Sequence, residues 1–415
     1  IKRRQLKEDI TIPLHFYLFT YKIITFMMGV GLLYPKPKTE KIRIILLLLL
    51  SVVPLSVIIF DDMYNSWLRH DVVNVIRHST MAGPFYLGFF KITIMLYKRT
   101  SAKEIIDEIN MDYASYNHMG STYKNIINRS IANNLKYSEM MWAVMITICV
   151  SAFPLMATVL TMYSYLFAAE PQRYMVHDVV IPYTHPDKRY ESPIFEIMFA
   201  YMLYVGVFYV IFFVGYDGFF GLCINHACLK MNIYCNAFEE ALKEDDERKM
   251  YSQIVEVIIA QNKLKRFVDL IQDTFNIWLG LILVATMIQI GTSMFLISEG
   301  YGLDPRYILF MIGIVAHIYV PCRYCAKLKH MSVETATLIY CAGWECVPSI
   351  SIRKMILFMI ARAQIPIEIT AFNLMVFDMD LFVSVSDFLL KNIKKKLFVT
   401  SIMNSSYSMF TLLRS

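Results

Sequence analysis

Residues 42–60 read IRIILLLLLSVVPLSVIIF. A bilayer core takes about 20 mostly apolar residues per helix. This run supplies that length with one charge, Arg43, next to its start. It reads as a first membrane span, and composition says that it is not alone. Hydrophobic residues make up 57% of the 415 residues and charged ones 18%, against about 45–50% and 25% in soluble domains. Five more runs of span length follow at Ser79–Tyr97, Tyr137–Phe167, Ile194–Leu222, Phe275–Ile297 and Tyr307–Ala326. Phe372–Leu413 contains a seventh. Leu14–Val30 is short and amphipathic and reads as an interfacial helix. The basic Ile1–Lys7 is followed by an apolar run too long for a signal peptide and lacking a small-residue cleavage site. The chain begins without Met, so a few residues are expected to precede Ile1.

Between spans four and five lies the polar stretch Asn225–Asp273, with Ile254, Val257, Ile258 and Leu264 at helical spacing. It reads as membrane helices continuing into water. Val333–Ala363 reads as a second, half-polar helix. Lys and Arg concentrate in the N-terminal segment, the loop 98–136 and 225–273, while DDMYNSWLRHD, EPQRYMVHDVVIPYTHPDKRYE and SEGYGLDPR are acidic or nearly balanced. By the positive-inside rule the N-terminus is cytoplasmic, and seven spans put the C-terminus outside. None of the eight cysteines falls in an outer loop, so no disulfide is expected. Cys322 and Cys325 form a lone CxxC, better read as packing than as a metal site. No Gly-rich phosphate loop, HExxH or catalytic triad is visible, and no basic stripe points to nucleic acid. No enzyme activity, cofactor or metal is expected. His177 and His185 fall in an outer loop and read as solvated.

The C-terminal third carries a distinctive pattern. Tyr340 and Trp344 precede a helix ending Arg362-Ala363-Gln364 with Pro366, and the chain closes on Ser406-Tyr407-Ser408-Met409-Phe410-Thr411-Leu412. With the seven spans and inverted orientation, this resembles the insect odorant receptor family. Two places depart from the family pattern: GVGLLYP stands at the end of the early helix, and Gln261 stands where His is frequent. The fold expected is therefore an all-α membrane protein of seven transmembrane helices, with a short N-terminal interfacial helix and a cytoplasmic helical anchor region. The resemblance implies a ligand-gated cation channel subunit forming a heterotetramer with a shared co-receptor. It implies a plasma-membrane protein of the olfactory sensory dendrite. It divides the chain into a cytoplasmic N-terminus and interfacial helix (1–41), a ligand-pocket bundle of spans one to four (42–222), a cytoplasmic helical extension (223–274), spans five and six (275–326), an anchor helix (327–371) carrying Tyr340 and Trp344 as subunit-interface residues, and a pore-lining last span (372–415).

The resemblance implies a pocket for a small volatile among spans two, three, four and six in the outer half of the membrane, and such a pocket needs apolar walls with few polar groups. The outer half of span two offers Met81, Phe85 and Tyr86; span three Ser151, Leu155 and Met156; span four Met198, Tyr201, Met202 and Val205; span six Phe310, Met311 and Ile314. Ordinary helix packing or lipid contact is the competing reading for each. No carboxylate or cation clearly faces this region, so a neutral ligand is expected, and Lys91 is expected to snorkel inward. In the last helix Ser405 and Ser408 share a face and Leu412 follows one turn on, as a hydrated passage with a dewetting constriction would need; Asn404 and Thr411 are alternatives. Asp378 and Asp380 suit either a cation-attracting ring or helix capping.

Lys391, Lys394, Lys395 and Lys396 interrupt that last helix. Each lysine at mid-bilayer costs about 2.5–3.5 kcal/mol. Removing Val385–Ser401 leaves DLFVSIMNSSYSMFTLLRS, an uninterrupted helix. Two readings stay open: a short stop-free intron retained in the coding sequence, or a real insertion with the last span starting near Leu397. A G-protein-coupled or taste-type chemoreceptor is the alternative function. Asn128-Arg129-Ser130 separates the topologies, because this glycosylation sequon stays bare if it is cytoplasmic.

Overall fold

The computed structural model describes residues 51–298 and 305–387, with Ile42, Leu46, Leu50 and Lys391 as single helical positions. The interfacial helix read at 14–30, nearly all of the lysine segment, and Ser405, Ser408 and Leu412 lie outside the described residues.

The described chain is helical almost throughout. In order come α1 (Val53–Leu68), α2 (Val72–Tyr97), α3 (Arg99–Tyr116), α4 (Ser121–Asn133), a π-helical turn (Asn134–Met140), α5 (Met141–Phe167), a short 3-10 turn (Pro186–Tyr190), α6 (Ile194–Ala241), α7 (Glu247–Ser298), α8 (Pro305–Tyr340) and α9 (Ile350–Ala363). A two-stranded antiparallel hairpin of β1 (Thr370–Ala371) and β2 (Met375–Val376) follows, and a last helix begins at 379. Among the described residues, α5, α6, α7 and the segment Ile308–Cys346 are long and apolar enough to cross a membrane. On α5, Val144, Ile148, Leu155, Val159 and Met162 are apolar and exposed along one face, as a lipid-facing helix requires.

Several helices outrun their expected bounds. At 48 and 52 residues, α6 and α7 are about 72 and 78 Å long, more than twice the ~30 Å bilayer core. The polar stretch 225–273 therefore lies largely on continuous helices. The loop expected over 98–136 is helical too: α3 buries Ala102, Ile105, Ile106, Ile109 and Tyr113. α1 runs past Phe60 through DDMYNSWL, because Asp62 is buried and bonded rather than solvated. The single helix expected over Val333–Ala363 is broken in two. Gly343 takes a left-handed φ of 78°, which only glycine adopts without strain, and Pro348 then bars continuation.

Residues 372–376 are likewise not the start of a helix. Phe372 and Asn373 have φ of 52° and 57° in the hairpin turn. The hairpin is latched onto α7: Gln272 Nε2 donates to the Thr370 carbonyl at 3.0 Å, the Thr370 N–H donates to Gln272 Oε1 at 2.9 Å, and the Asn373 N–H donates to Asn276 Oδ1 at 2.9 Å. The Phe372 ring lies over Gly280, leaving no room there for a Cβ.

Two polar systems bind the far ends of the long helices. Lys327 donates to Asn225 Oδ1 at 2.6 Å, Asn225 donates to Asn134 Oδ1 at 2.6 Å, and Asn134 donates to Glu139 at 3.1 Å. This chain of donors ties α8 and α6 to the π turn. Nearby, His226 Nε2 meets Asp112 at 2.9 Å, and Lys230 meets both Asp112 and Glu108. Burial pulls the His226 imidazole below its ordinary 6.5, outweighing the hydrogen bond to Asp112. Burial would raise the Asp112 carboxyl, but His226 and Lys230 hold it below its ordinary value. Between the folded pKa of His226 and about 6.5, the folded chain binds fewer protons than the unfolded one, so stability falls as pH drops through that window. The Asp112 contribution is lost only below about pH 4. Amide protection in 223–231, corrected for the pH dependence of intrinsic exchange, should fall as pH drops below about 6.5 and change little above it.

Candidate functional site

α2, α5, α6 and α8 line a partly open cavity of about 380 Å³, with contributions from α1 and α7. Its walls are mainly apolar, from Leu55 and Ile59 on α1 to Phe213 on α6. The size is that of a small-molecule site. Of the residues singled out in the sequence, the structure brings Phe85, Ser151, Met202, Val205, Phe310 and Ile314 to this wall. Tyr86 instead stacks on Phe60 at 5.6 Å. Leu155 is exposed, and Met198 packs with Met175 and Val179 in a separate apolar cluster. Tyr201 donates to the Ser51 carbonyl at 3.4 Å. Met156 and Met311 are half-buried away from the cavity lining. Met81 is on α2, with its side chain outside the described set.

The roof comes from the loop after α5. Here His177 corrects the expectation of a solvated side chain: it lines the cavity, while His185 is exposed. His177 Nε2 lies 3.1 Å from His78 Nδ1, and His78 Nε2 lies 3.2 Å from Asp62 Oδ2. Asp62 also accepts the Val180 N–H at 2.7 Å. Burial pushes the Asp62 carboxyl up, but the His78 and Val180 hydrogen bonds hold it below its ordinary value. Asp178 takes Arg189 at 3.1 Å and the Tyr190 hydroxyl at 2.9 Å, and its carbonyl accepts from Arg77 at 2.9 Å. These contacts pin the loop across the C-terminal end of α1 and the N-terminal ends of α2 and α6.

The floor of the cavity departs from expectation. Lys91 does not snorkel. Its side chain is 0% exposed, and Nζ lies 2.6 Å from Asp217 Oδ1 and 3.5 Å over the Phe213 ring. Its third contact is His317 Nε2 at 3.3 Å. Trp142 stacks on the His317 ring at 5.8 Å and 13°. A cation and a carboxylate thus lie just beneath the cavity, and His317 and Phe213 separate them from it. The signal was present in the sequence. Lys91 is six residues from the inner end of its expected span and Asp217 five from the inner end of its own, so two opposite charges share a depth where neither is stable alone.

Elsewhere, Asp378 Oδ1 accepts the Asp380 and Leu381 N–H groups, both at 3.1 Å, which caps the last helix; Lys329 approaches it at 3.3 Å. Asp380 is exposed. Val385, the first residue of the candidate insert, is buried and helical. Tyr340 is exposed at the end of α8, and Trp344 is half-buried in the turn after it. Cys322 and Cys325 are buried on α8. Among the described residues no group of ligating side chains is arranged to hold a metal.

Comparison with known proteins follows this geometry. A family model described as 7tm Odorant receptor matches residues 71–389. Odorant receptor 13a of Drosophila melanogaster is 24% identical over 240 residues, 52% of each chain, so the match spans about half the length of that curated relative. The insect olfactory receptor OR5 from Machilis hrabei in complex with eugenol has the same fold, with a TM-score of 0.72 over 93% of this chain and 99% of that one, at 16% identity. A further structure of that receptor superposes with a TM-score of 0.69 at 14% identity, covering 92% and 99%.

Proposed function

The chain belongs to the 7tm odorant receptor family and is a membrane-embedded receptor rather than an enzyme, and we propose that it is the odorant-binding subunit of a ligand-gated cation channel. In this reading a neutral volatile enters the cavity between α2, α5, α6 and α8. Occupancy biases the α8–hairpin–last-helix path toward an open pore lined by Ser405, Ser408 and Leu412. Four subunits, including a shared co-receptor, surround that pore. The far ends of α6, α7 and α8, with Tyr340 and Trp344, form the anchor where subunits meet. The N-terminus is cytoplasmic, the C-terminus extracellular, and the site of action the plasma membrane of the olfactory sensory dendrite.

The observation that carries this reading is the cavity: an apolar chamber of about 380 Å³ on the membrane-spanning helices, roofed by an ordered loop. A receptor of the same fold forms a complex with eugenol. The test is current through cells co-expressing this chain with the shared co-receptor, across a panel of neutral volatiles. Ile314→Trp places an indole in a wall that holds a branched aliphatic side chain, and it should abolish the response while leaving the protein at the surface. An unchanged response in that variant would move the ligand elsewhere.

A further inference from the structure

The floor of the cavity holds a histidine whose tautomer is set by its neighbours. Lys91 carries three N–H donors and no acceptor. One donor meets Asp217 Oδ1, another the Phe213 face and the third His317 Nε2. An ammonium can only donate, so with the shorter of the two Nε2 contacts, 3.3 Å to Lys91, taken as the hydrogen bond, His317 Nε2 accepts and the ring proton sits on Nδ1. Asp217 Oδ2 lies 3.4 Å from the same Nε2 and makes no hydrogen bond. All polar contacts of His317 run through Nε2, and among the described residues no partner meets Nδ1. The ring itself lines the cavity, held flat against Trp142.

A second observation points the same way. Gln289, on α7, is 4% exposed and lines the same cavity, and its Nε2 has no hydrogen-bond partner. A buried donor without an acceptor is costly, and at a cavity wall the acceptor of a bound ligand would relieve that cost. Taken together, the geometry points to a cavity that recognises an apolar volatile carrying one hydrogen-bond acceptor (ester, ketone, aldehyde or ether), with His317 Nδ1–H as its principal donor and Gln289 as a second. Lys91 and Asp217 are positioning residues. They never touch the ligand, and they fix which face of the imidazole donates. This inference rests on the odorant-receptor reading of the cavity.

The test compares hexyl acetate with decane, matched in heavy atoms and differing in the acceptor. Binding to the full chain in lipid nanodiscs is read as ligand-dependent thermal stabilisation, with Ile314→Trp as the cavity-blocked reference that removes partition into lipid. The acetate-over-decane preference should fall about tenfold in His317→Phe. His317→Asn, which keeps an N–H near the Nδ1 position, should retain most of the preference, and His317→Gln should lose it. The Asn–Gln pair decides the matter if the Phe variant fails to fold. A preference unchanged in His317→Phe, or equal in Asn and Gln, overturns the donor assignment while cavity binding, and with it the odorant reading, stands. If neither ligand nor any other volatile stabilises the wild-type chain beyond the blocked reference, the odorant reading of the cavity fails and the inference with it.

Discussion

Lys91→Met alone is expected to remove most of the receptor from the cell surface, Asp217→Leu alone to do the same, and the two together to restore much of it. Each side chain is almost fully enclosed, at 0% and 4% exposure, and they meet at 2.6 Å. Removing one leaves the other charge buried and uncompensated, at a cost of about 3–5 kcal/mol. That is a large share of the roughly 5–15 kcal/mol that holds a typical domain together. Replacing both with apolar groups removes the desolvation cost along with the attraction, which is often neutral or better. Surface biotinylation, paired with melting of the detergent-purified protein, reads all three variants. A double variant as poor as the singles would show that the pair does more than neutralise itself. The double variant has a second consequence. With Lys91 gone, no ammonium donates to His317 Nε2, so either ring nitrogen can carry the proton. The chain should fold but discriminate less well between acceptor-bearing and plain hydrocarbon ligands.

This pair also marks how far the sequence could be read. The long apolar runs near 137–167, 194–222, 275–297 and 307–326 were legible because length and hydropathy are properties of the segment itself. Element ends were less so. Asp61 and Asp62 look like the start of a loop, yet Asp62 is held inside by His78 and the Val180 N–H, partners 16 and 118 residues away. The turn at Gly343 breaks a helix whose apolar periodicity runs on through it, because one left-handed φ outweighs the pattern on either side. The cavity was half legible. Phe85, Ser151, Met202, Val205, Phe310 and Ile314 sit on the wall because they lie on inward faces of their helices, and period alone can find a face. Which inward residues border empty space and which pack solidly, as Met198 does against Met175, depends on the volumes of partners from other helices. His177 was misplaced for the same reason: the loop carrying it is folded back by Asp178 and its arginine partners, a long-range set without local signature.

The second large effect lies below the cavity, in the aromatic cluster that joins α6 to α7. Trp278→Ala is expected to cost about 3–5 kcal/mol. Trp278 is 0% exposed. Its ring centroid lies 5.3 Å from Tyr216, 5.2 Å from Phe220 and 5.8 Å from Phe275, all themselves buried. No smaller side chain can collapse into that space, because the surrounding rings belong to two continuous helices. Trp278→Phe should be much milder. The indole Nε1 has no hydrogen-bond partner, so phenylalanine gives up volume but also removes a buried donor that costs free energy where it is. The gap between the Ala and Phe variants in melting temperature is the measurement. An alanine variant melting with the wild type would mean the cluster is not a keystone of this interface. The cluster also reaches the cavity floor, since Lys91 Nζ lies 5.8 Å from the Trp278 ring. Neighbours that share partners do not act additively, and couplings of about 0.5–3 kcal/mol are usual. Trp278→Phe combined with the Lys91→Met, Asp217→Leu pair should therefore depart from the sum of its parts. The same three variants in a Val257→Ala background, about 20 residues away along α7, should add.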